Sequence, residues 1–272
     1  MPDAEAFATG FGRYEAQRHD PAARSVEGVE SLVEETPVTL NYNGQAHAVM
    51  LATPTDLEDF AVGFSLTEGI VARAAEIGAV DVIPSRHGVA LMITIPDARA
   101  AGLVSLRRSL PGMGGCGLCG VENLQAALRR PDAVCRDLRL APAAIAMACR
   151  SLPALQTLGA RTGASHAAAF VRADGAVLVV REDAARHIAL DKLVGHLARN
   201  EVAIGGGFVL LTSRASYELV QKAATAGFEL VAAVSAPTGL AVRLARDTGV
   251  TLLGFARDGR FTCYANEFRL EG

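Results

Sequence analysis

Residues 208–255 read FVLLTSRASYELVQKAATAGFELVAAVSAPTGLAVRLARDTGVTLLGF, and their rhythm decides the fold. Phe208–Thr212, Glu229–Val234 and Thr251–Phe255 are short apolar runs with the length of buried strands. Between them Arg214–Ala226 and Pro237–Asp247 are longer and amphipathic, and read as helices. Upstream, a helix over Pro142–Leu158, bent or ended near Pro153, leads to strands at His166–Val171 and Ala176–Arg181 joined by Asp174-Gly175. A helix at Ile188–Arg199 follows, and a last strand runs Phe261–Ala265. The order α-β-β-α-β-α-β-α-β predicts an α/β domain over residues 141–272, a mixed sheet with helices on both faces. Ligands of such sheets bind beyond the carboxyl ends of the strands, here Thr212–Ser216, Ser235–Thr238 and Phe255–Arg260.

A smaller α+β domain is predicted over residues 35–140. Val38–Tyr42 and Ala46–Leu51 flank Asn43-Gly44, a two-residue hairpin signal. Thr55-Asp56-Leu57-Glu58 matches a capping box and predicts a helix running to Gly69. Strands follow at Ala79–Ile83 and Val89–Ile95, then helices at Asp97–Leu110 and Glu122–Arg130. Residues 1–34 are polar and Ala-rich, and predict a loosely ordered lead-in.

Half of the 272 residues are hydrophobic and a fifth are charged, which excludes a disordered or fibrous chain and leaves ample material for a core. A net charge of −3 provides no basic field to recruit nucleic acid or an anionic membrane. Met1–Ala16 lacks the basic and apolar segments of an export signal. The uncharged stretch Val202–Ser213 falls short of the roughly 20 residues that span a bilayer. The expectation is a cytoplasmic protein with neither nucleic-acid nor membrane partners, whose thiols stay reduced. Among 26 basic residues only Lys192 and Lys222 are lysines. Arginine offers forked donors suited to phosphate or carboxylate, although a genome-wide bias accounts for the excess equally well.

Five glycines fall between Gly112 and Gly120 in the stretch PGMGGCGLCG, residues 111–120. Backbone this free is costly to order, so an exposed, mobile loop is predicted. It carries Cys116-x-x-Cys119. Two cysteines so spaced bind zinc, cycle as a disulfide or carry sulfur. Zinc needs about four ligands, and the chain has no second Cys-x-x-Cys. A thioredoxin-like site needs the pair at a helix start after a strand, and here it follows a predicted helix. A thiolate on a mobile loop suits a carrier that accepts sulfur as a persulfide and delivers it elsewhere; the second thiol can release sulfide by closing a disulfide. A flexible surface loop with incidental cysteines remains the alternative. Cys135, Cys149 and Cys263 are isolated in apolar surroundings and read as buried structural thiols.

Phe255-Ala256-Arg257-Asp258-Gly259-Arg260 can hold a phosphate-rich ligand through two arginines and a glycine, but the residues alone favour an ordinary Asp-Gly turn with solvated arginines. Ser213-Arg214-Ala215-Ser216 reads as a helix cap where an anion would be favoured. Arg181-Glu182-Asp183, Arg186-His187 and Asp191-Lys192 form a charged link between a strand and a helix. In it His187 reads as a surface histidine sooner than as an acid–base group, and His166 is similar. No paired-carboxylate site, Ser-His-Asp set, phosphate loop or dinucleotide fingerprint stands out. Gly205-Gly206-Gly207 precedes a strand instead of opening a helix.

Six segments carry a resemblance: EETPVTLNYNGQAHAVMLATPTDLEDFAVGFSLTEGI (34–70), GCGLCGVE (115–122), REDAARHIALDKLVG (181–195), TSRASYELVQKAA (212–224), AVSAPTGLAV (233–242) and TLLGFARDGRFTCYAN (251–266). Over about Glu35 to Leu270 the chain resembles the formate dehydrogenase accessory sulfurtransferase family, FdhD. Ala184-Ala185 stands where the resemblance leads one to expect Val-Gly, and Ile188 replaces a more polar residue. The resemblance implies a cytidine deaminase-like three-layer α-β-α domain, preceded by the smaller α+β domain with its Cys-x-x-Cys loop. Zinc deaminases place His/Cys-x-Glu and Pro-Cys-x-x-Cys at two helix starts. Here those starts read Ala185-Arg186-His187 and Ser213-Arg214-Ala215, so the fold is expected without a bound metal or deamination.

It also implies a sulfurtransferase. Such a protein takes sulfur from a cysteine desulfurase as a persulfide and passes it to the molybdenum cofactor, bis-molybdopterin guanine dinucleotide, before that cofactor enters formate dehydrogenase. By motif, Cys116 bears the persulfide and Cys119 supports it. Phe255, Ala256, Arg257, Asp258, Gly259 and Arg260 match the cofactor-binding segment, with Arg257 and Arg260 toward its phosphates. The cofactor is a transient substrate, and a homodimer is implied. Two other functions stay open: a non-catalytic cofactor-binding chaperone for formate dehydrogenase, and a zinc-dependent deaminase or zinc-stabilised binding module.

Overall fold

Backbone pairing organises even the polar N-terminal stretch. The computed structural model describes residues 4–21, 25–103 and 130–271. Cys116, Cys119 and the glycine-rich stretch around them lie outside the described residues, as does nearly all of the helix expected at Glu122–Arg130. Residues 4–33 are not a loosely ordered lead-in. They form helix α1 (Ala4–Thr9) and strands β1 (Phe11–Arg18) and β2 (Val26–Val33), paired antiparallel along their whole length. The ladder satisfies backbone groups whatever the side chains, so a polar composition does not preclude it. The Tyr14 hydroxyl donates at 2.5 Å to Glu34, which lies in the link between this ribbon and the strand that follows.

That strand, β3 (Thr36–Tyr42), buries alternate residues, Thr36, Val38, Leu40 and Tyr42. It turns through Asn43-Gly44, both in left-handed backbone (φ 47 and 81), into β4 (Gln45–Ala52). With β5 (Ala79–Ser85) and β6 (Gly88–Thr94) they make a four-stranded sheet ordered β4-β3-β6-β5, in which β3 and β6 run parallel. Helix α2 (Leu57–Thr67) covers it, packing Leu57, Phe60 and Phe64 on Val38, Leu40, Leu91 and Ile93. The expected capping box does not form. Asp56 precedes the helix in left-handed backbone (φ 51) with no side-chain cap, and its carboxylate faces Arg181 at 3.5 Å instead. Helix α3 follows β6 over Asp97–Leu103, and the remainder of the helix expected to Leu110 lies outside the described residues.

The second half begins with α4 (Pro142–Ser151), which ends in a 3-10 turn at Leu152–Leu155, and α5 (Thr157–Thr162). Then come β7 (His166–Arg172), β8 (Val177–Asp183), α6 (Arg186–Arg199), β9 (Gly207–Leu211), α7 (Tyr217–Thr225), β10 (Leu230–Ala233), α8 (Gly239–Thr248), β11 (Thr251–Arg257) and β12 (Arg260–Ala265). The strands form one mixed sheet ordered β12-β11-β10-β9-β7-β8, with β9, β10 and β11 parallel. Helices α6, α7 and α8 cover one face through Leu193, Val220 and Leu244 against Val209, Val231 and Leu252. Helix α4 covers the other, setting Ile145 on the core of Phe208, Leu210, Leu230 and Leu253. Burial on both faces is why these strands read as unbroken apolar runs.

Helices α2 and α6 join the two sheets, and two glycines set their separation. A Cβ placed on Gly63 would lie 1.7 Å from the Asp191 carbonyl oxygen, and one on Gly195 would lie 1.8 Å from that of Asp59. Only hydrogen fits at either crossing point. Among the described residues no helix is long and apolar enough to cross a membrane.

Candidate functional site

The carboxyl ends of the three parallel strands lie side by side. Past β9 and β10 the backbone stays paired: Val234 N–H donates to the Leu211 carbonyl at 2.9 Å, and Thr238 N–H to that of Ala215 at 3.0 Å. Past β10 and β11, Phe255 N–H donates to the Ser235 carbonyl at 3.2 Å. Thr212–Ser216, Ser235–Thr238 and Phe255–Arg260, far apart in sequence, thus form one edge. Thr238 caps α8 by accepting from Ala241 N–H at 3.3 Å. Ser216 does not cap α7 with its side chain, and its hydroxyl is buried with no hydrogen-bond partner among the described residues.

At the end of that row the β11–β12 register slips between Gly254 and Arg257. The bulge puts Phe255 in left-handed backbone, at φ 54, with its ring 40% exposed. Ala256 is fully buried, and its carbonyl accepts the Cys149 thiol at 3.1 Å. Burial raises the pKa of that thiol, which keeps it a donor. Asp258 and Gly259 (φ 54 and 73) make a two-residue turn. The ordinary Asp-Gly hairpin is therefore real, and it has a consequence. It sets Arg257 directly across from Arg260, both exposed and neither ion-paired among the described residues. Like charges facing across a strand pair repel, and an anion between them removes the cost. The Arg257 guanidinium lies 6.0 Å from the centre of the Phe255 ring.

A second group of polar residues was not foreseen as a cluster. Both lysines of the chain are buried between the two sheets. Lys192 pairs with Asp183 at 2.7 Å and donates to the Thr53 carbonyl at 3.0 Å; Thr53 N–H closes the ring onto Asp183 at 3.0 Å. Lys222 donates to Asp191, to Glu68 at 3.0 Å and to the Thr67 hydroxyl at 3.1 Å. Glu218, one helical turn before Lys222, is buried, and its Oε2 has no hydrogen-bond partner among the described residues. Burial pushes its carboxyl up to about 7, Asp191 and Glu68 adding and Lys222 and Arg186 opposing. Burial alone would lower the Lys222 pKa, but Asp191, Glu68 and Glu218 hold it above the usual lysine range. The signal available in sequence was the Glu218-x-x-x-Lys222 spacing on one helix face.

Two single-residue expectations are corrected here. His187 is buried, not a surface histidine, because α6 turns its first residues inward beside α2. Cys135 is exposed, not a core thiol: it lies in an irregular crossing segment held by its carbonyl, which accepts from Arg269. Cys149 and Cys263 are half-buried. His166, also half-buried, has its pKa lowered by burial and by Arg186. Among the described residues no three His, Cys, Asp or Glu side chains are grouped as metal ligands.

An exposed arginine pair and an aromatic ring thus stand together at the carboxyl edge of a mixed α/β sheet, and the class the fold defines is that of mixed α/β proteins. The sequence model of the FdhD/NarQ family matches residues 33–271. The chain is 49% identical over 241 residues to the sulfur carrier protein FdhD of Bordetella petrii, covering 89% of this chain and 87% of that protein. It is 51% identical over 242 residues to the protein of the same name from Cupriavidus necator, covering 89% and 84%. Xanthomonas campestris pv. campestris has another at 49% over 254 residues, covering 93% and 90%. In fold the chain matches a crystal structure described as a candidate formate dehydrogenase accessory protein from Desulfotalea psychrophila, with TM-score 0.76 and 22% identity over 96% of this chain and 100% of that one. The chain belongs to the FdhD/NarQ family.

Proposed function

We propose that the protein is a cytoplasmic sulfur carrier serving formate dehydrogenase. The observation that carries this is the opposed Arg257–Arg260 pair beside exposed Phe255, in a chain about half identical to proteins named sulfur carrier protein. The six-stranded layer is read as cytidine deaminase-like from the family resemblance, with which its element order agrees. In the first step the Cys116 thiolate attacks the outer sulfur of a desulfurase persulfide. A Cys116 persulfide forms and the desulfurase thiolate leaves. In the second, the Cys119 thiol attacks the inner sulfur, closing a Cys116–Cys119 disulfide and releasing sulfide toward the molybdenum cofactor. Arg257 and Arg260 hold the phosphates of the guanine dinucleotide, and Gly259 lets backbone approach them. The cofactor is cargo here, held only for the transfer, and the protein works as a homodimer.

Intact-mass measurement after incubation with a cysteine desulfurase and cysteine tests the first step. The wild type gains one sulfur atom that reductant removes, and Cys116→Ala does not. A Cys116→Ala variant that still gains sulfur and still supports formate dehydrogenase maturation overturns the assignment. A non-catalytic chaperone would keep its function without Cys116 and lose it with Arg257→Ala/Arg260→Ala.

A further inference from the structure

We infer that the starts of helices α6 and α7 together form a binding site for a small inorganic anion, contacted by Arg186, Ser216 and Glu218. The site is separate from the β11–β12 turn, because α7 leaves from β9 and strand β10 stands between β9 and β11. Backbone pairing brings the two helix starts together. His166 opens β7 directly across from Asp183, the last residue of β8. Thr212 N–H, just past β9, donates to the Ala167 carbonyl at 3.1 Å. Strands β8 and β9 both run antiparallel to β7, so α6 and α7 leave the same edge in the same direction. Asp191 of α6 meets Lys222 of α7 at 3.0 Å. One turn nearer the amino ends come His187 and Glu218, which therefore stand level with each other in the next layer.

Hydrogen-bond donors collect at this point. The first turn of a helix presents N–H groups that the helix itself does not use, and neither α6 nor α7 has a side-chain cap. Ser216, at the cap position of α7, buries its hydroxyl with no partner among the described residues. Glu218 is only 6% exposed, and its Oε2 likewise has none. The charges acting on it are those of Lys222, Asp191, Glu68 and Arg186. Lys222 is taken up by Asp191 and Glu68, which leaves Arg186, at the start of α6, as the cation on the open side. Burial keeps the Glu218 carboxyl protonated up to about 7, so near neutral pH it donates as well. Asp183, beside the start of α6, is taken up by Lys192 at 2.7 Å and by Ala185 N–H at 2.8 Å. A guanidinium, a hydroxyl, a carboxylic acid and two positive helix ends converge, and an anion completes them. His187, Tyr217 and Glu218 are each more than nine-tenths buried, which suits a compact ion. Hydrosulfide is an ion of this class, and its choice as the natural occupant rests on the sulfur-carrier reading above; the anion site does not.

Calorimetry on the reduced full-length protein, with sulfate as the probe, tests the site. The wild type should bind one sulfate ion per chain. Arg186→Gln should lose on the order of tenfold in affinity. Ser216→Ala, a change of one oxygen atom, should lose about fivefold. Arg257→Ala/Arg260→Ala should bind sulfate as the wild type does, so the nucleotide reading can fail without touching this site. Between pH 6 and pH 8 the wild type should weaken as Glu218 ionises, and Glu218→Gln should hold its affinity. If the wild type binds no sulfate, or if Ser216→Ala or Arg186→Gln binds it as tightly as the wild type, there is no anion site at these helix starts. Loss of binding in Arg257→Ala/Arg260→Ala would place the ion at the turn and overturn the assignment. An equal decline with pH in wild type and Glu218→Gln would show that the ion does not meet Glu218. Hydrosulfide should displace sulfate. If it does not, the carrier holds its sulfide elsewhere, and the anion site stands without that occupant.

Discussion

The backbone of Phe255 sits at φ 54, where L side chains are strained, and its ring recovers little by burial at 40% exposure. Phe255→Gly is therefore expected to keep or raise the thermal midpoint while losing nucleotide binding. A drop of several degrees in calorimetry would mean that the ring is retained for packing. Arg257 and Arg260 set a similar opposition between stability and binding. Facing like charges cost a few tenths of a kcal/mol at low salt, so Arg260→Gln should be neutral or slightly stabilising there. Its nucleotide affinity should fall and depend less steeply on salt than that of wild type. If Arg260→Gln binds GDP with unchanged salt dependence, Arg260 touches no phosphate. Both arginines and the Asp-Gly turn were legible in the sequence. Their alignment was not, because it depends on the register slip between Gly254 and Arg257, and the chain carries no local mark of a bulge.

Among the elements, α2 and α6 are held together at a distance that only glycine permits at Gly63 and Gly195. Gly63→Ala drives a methyl group into the Asp191 carbonyl, and Gly195→Ala drives one into Asp59. Each should cost roughly 3 kcal/mol by urea unfolding, although alanine is the better helix former. A cost below about 1 kcal/mol would show that the helices can separate freely. The strands and helices around this crossing follow the sequence closely, because periodicity and turn residues act over a few neighbours. The Asn43-Gly44 hairpin and the break of α4 at Pro153 are of this kind. The capping box at Thr55 does not form: the helix starts one residue late, with Asp56 at the N-cap position, and the Glu58 carboxylate pairs with Arg199, more than a hundred residues away.

For the molecule as a whole, the buried seam between the sheets sets the response to pH. Glu218 titrates at about 7 in the folded protein against an ordinary value of 4.5, so folding favours its protonated form. Its contribution to stability is complete below pH 4.5 and is lost as pH rises through about 7. The groups facing it are Lys222, Asp191, Glu68 and Arg186. Glu218→Gln keeps the shape and removes the titration. The wild type should lose stability relative to this variant by a few kcal/mol between pH 5 and pH 8. Parallel unfolding curves for the two proteins across that range would show that Glu218 carries no proton near neutrality.

The sequence by itself determined the order of elements, the hairpin turns, the mixed sheet, the family and the Cys116-x-x-Cys119 pair. These are local patterns, each written in a few consecutive residues. Only the tertiary structure decided that the two lysines are buried and paired, that His187 faces inward, that α2 and α6 touch at glycines, and that Arg257 opposes Arg260. Desolvation and charge pairing are set by neighbours in space. Thr53 and Asp183, 130 residues apart, share one hydrogen bond that no stretch of the chain contains.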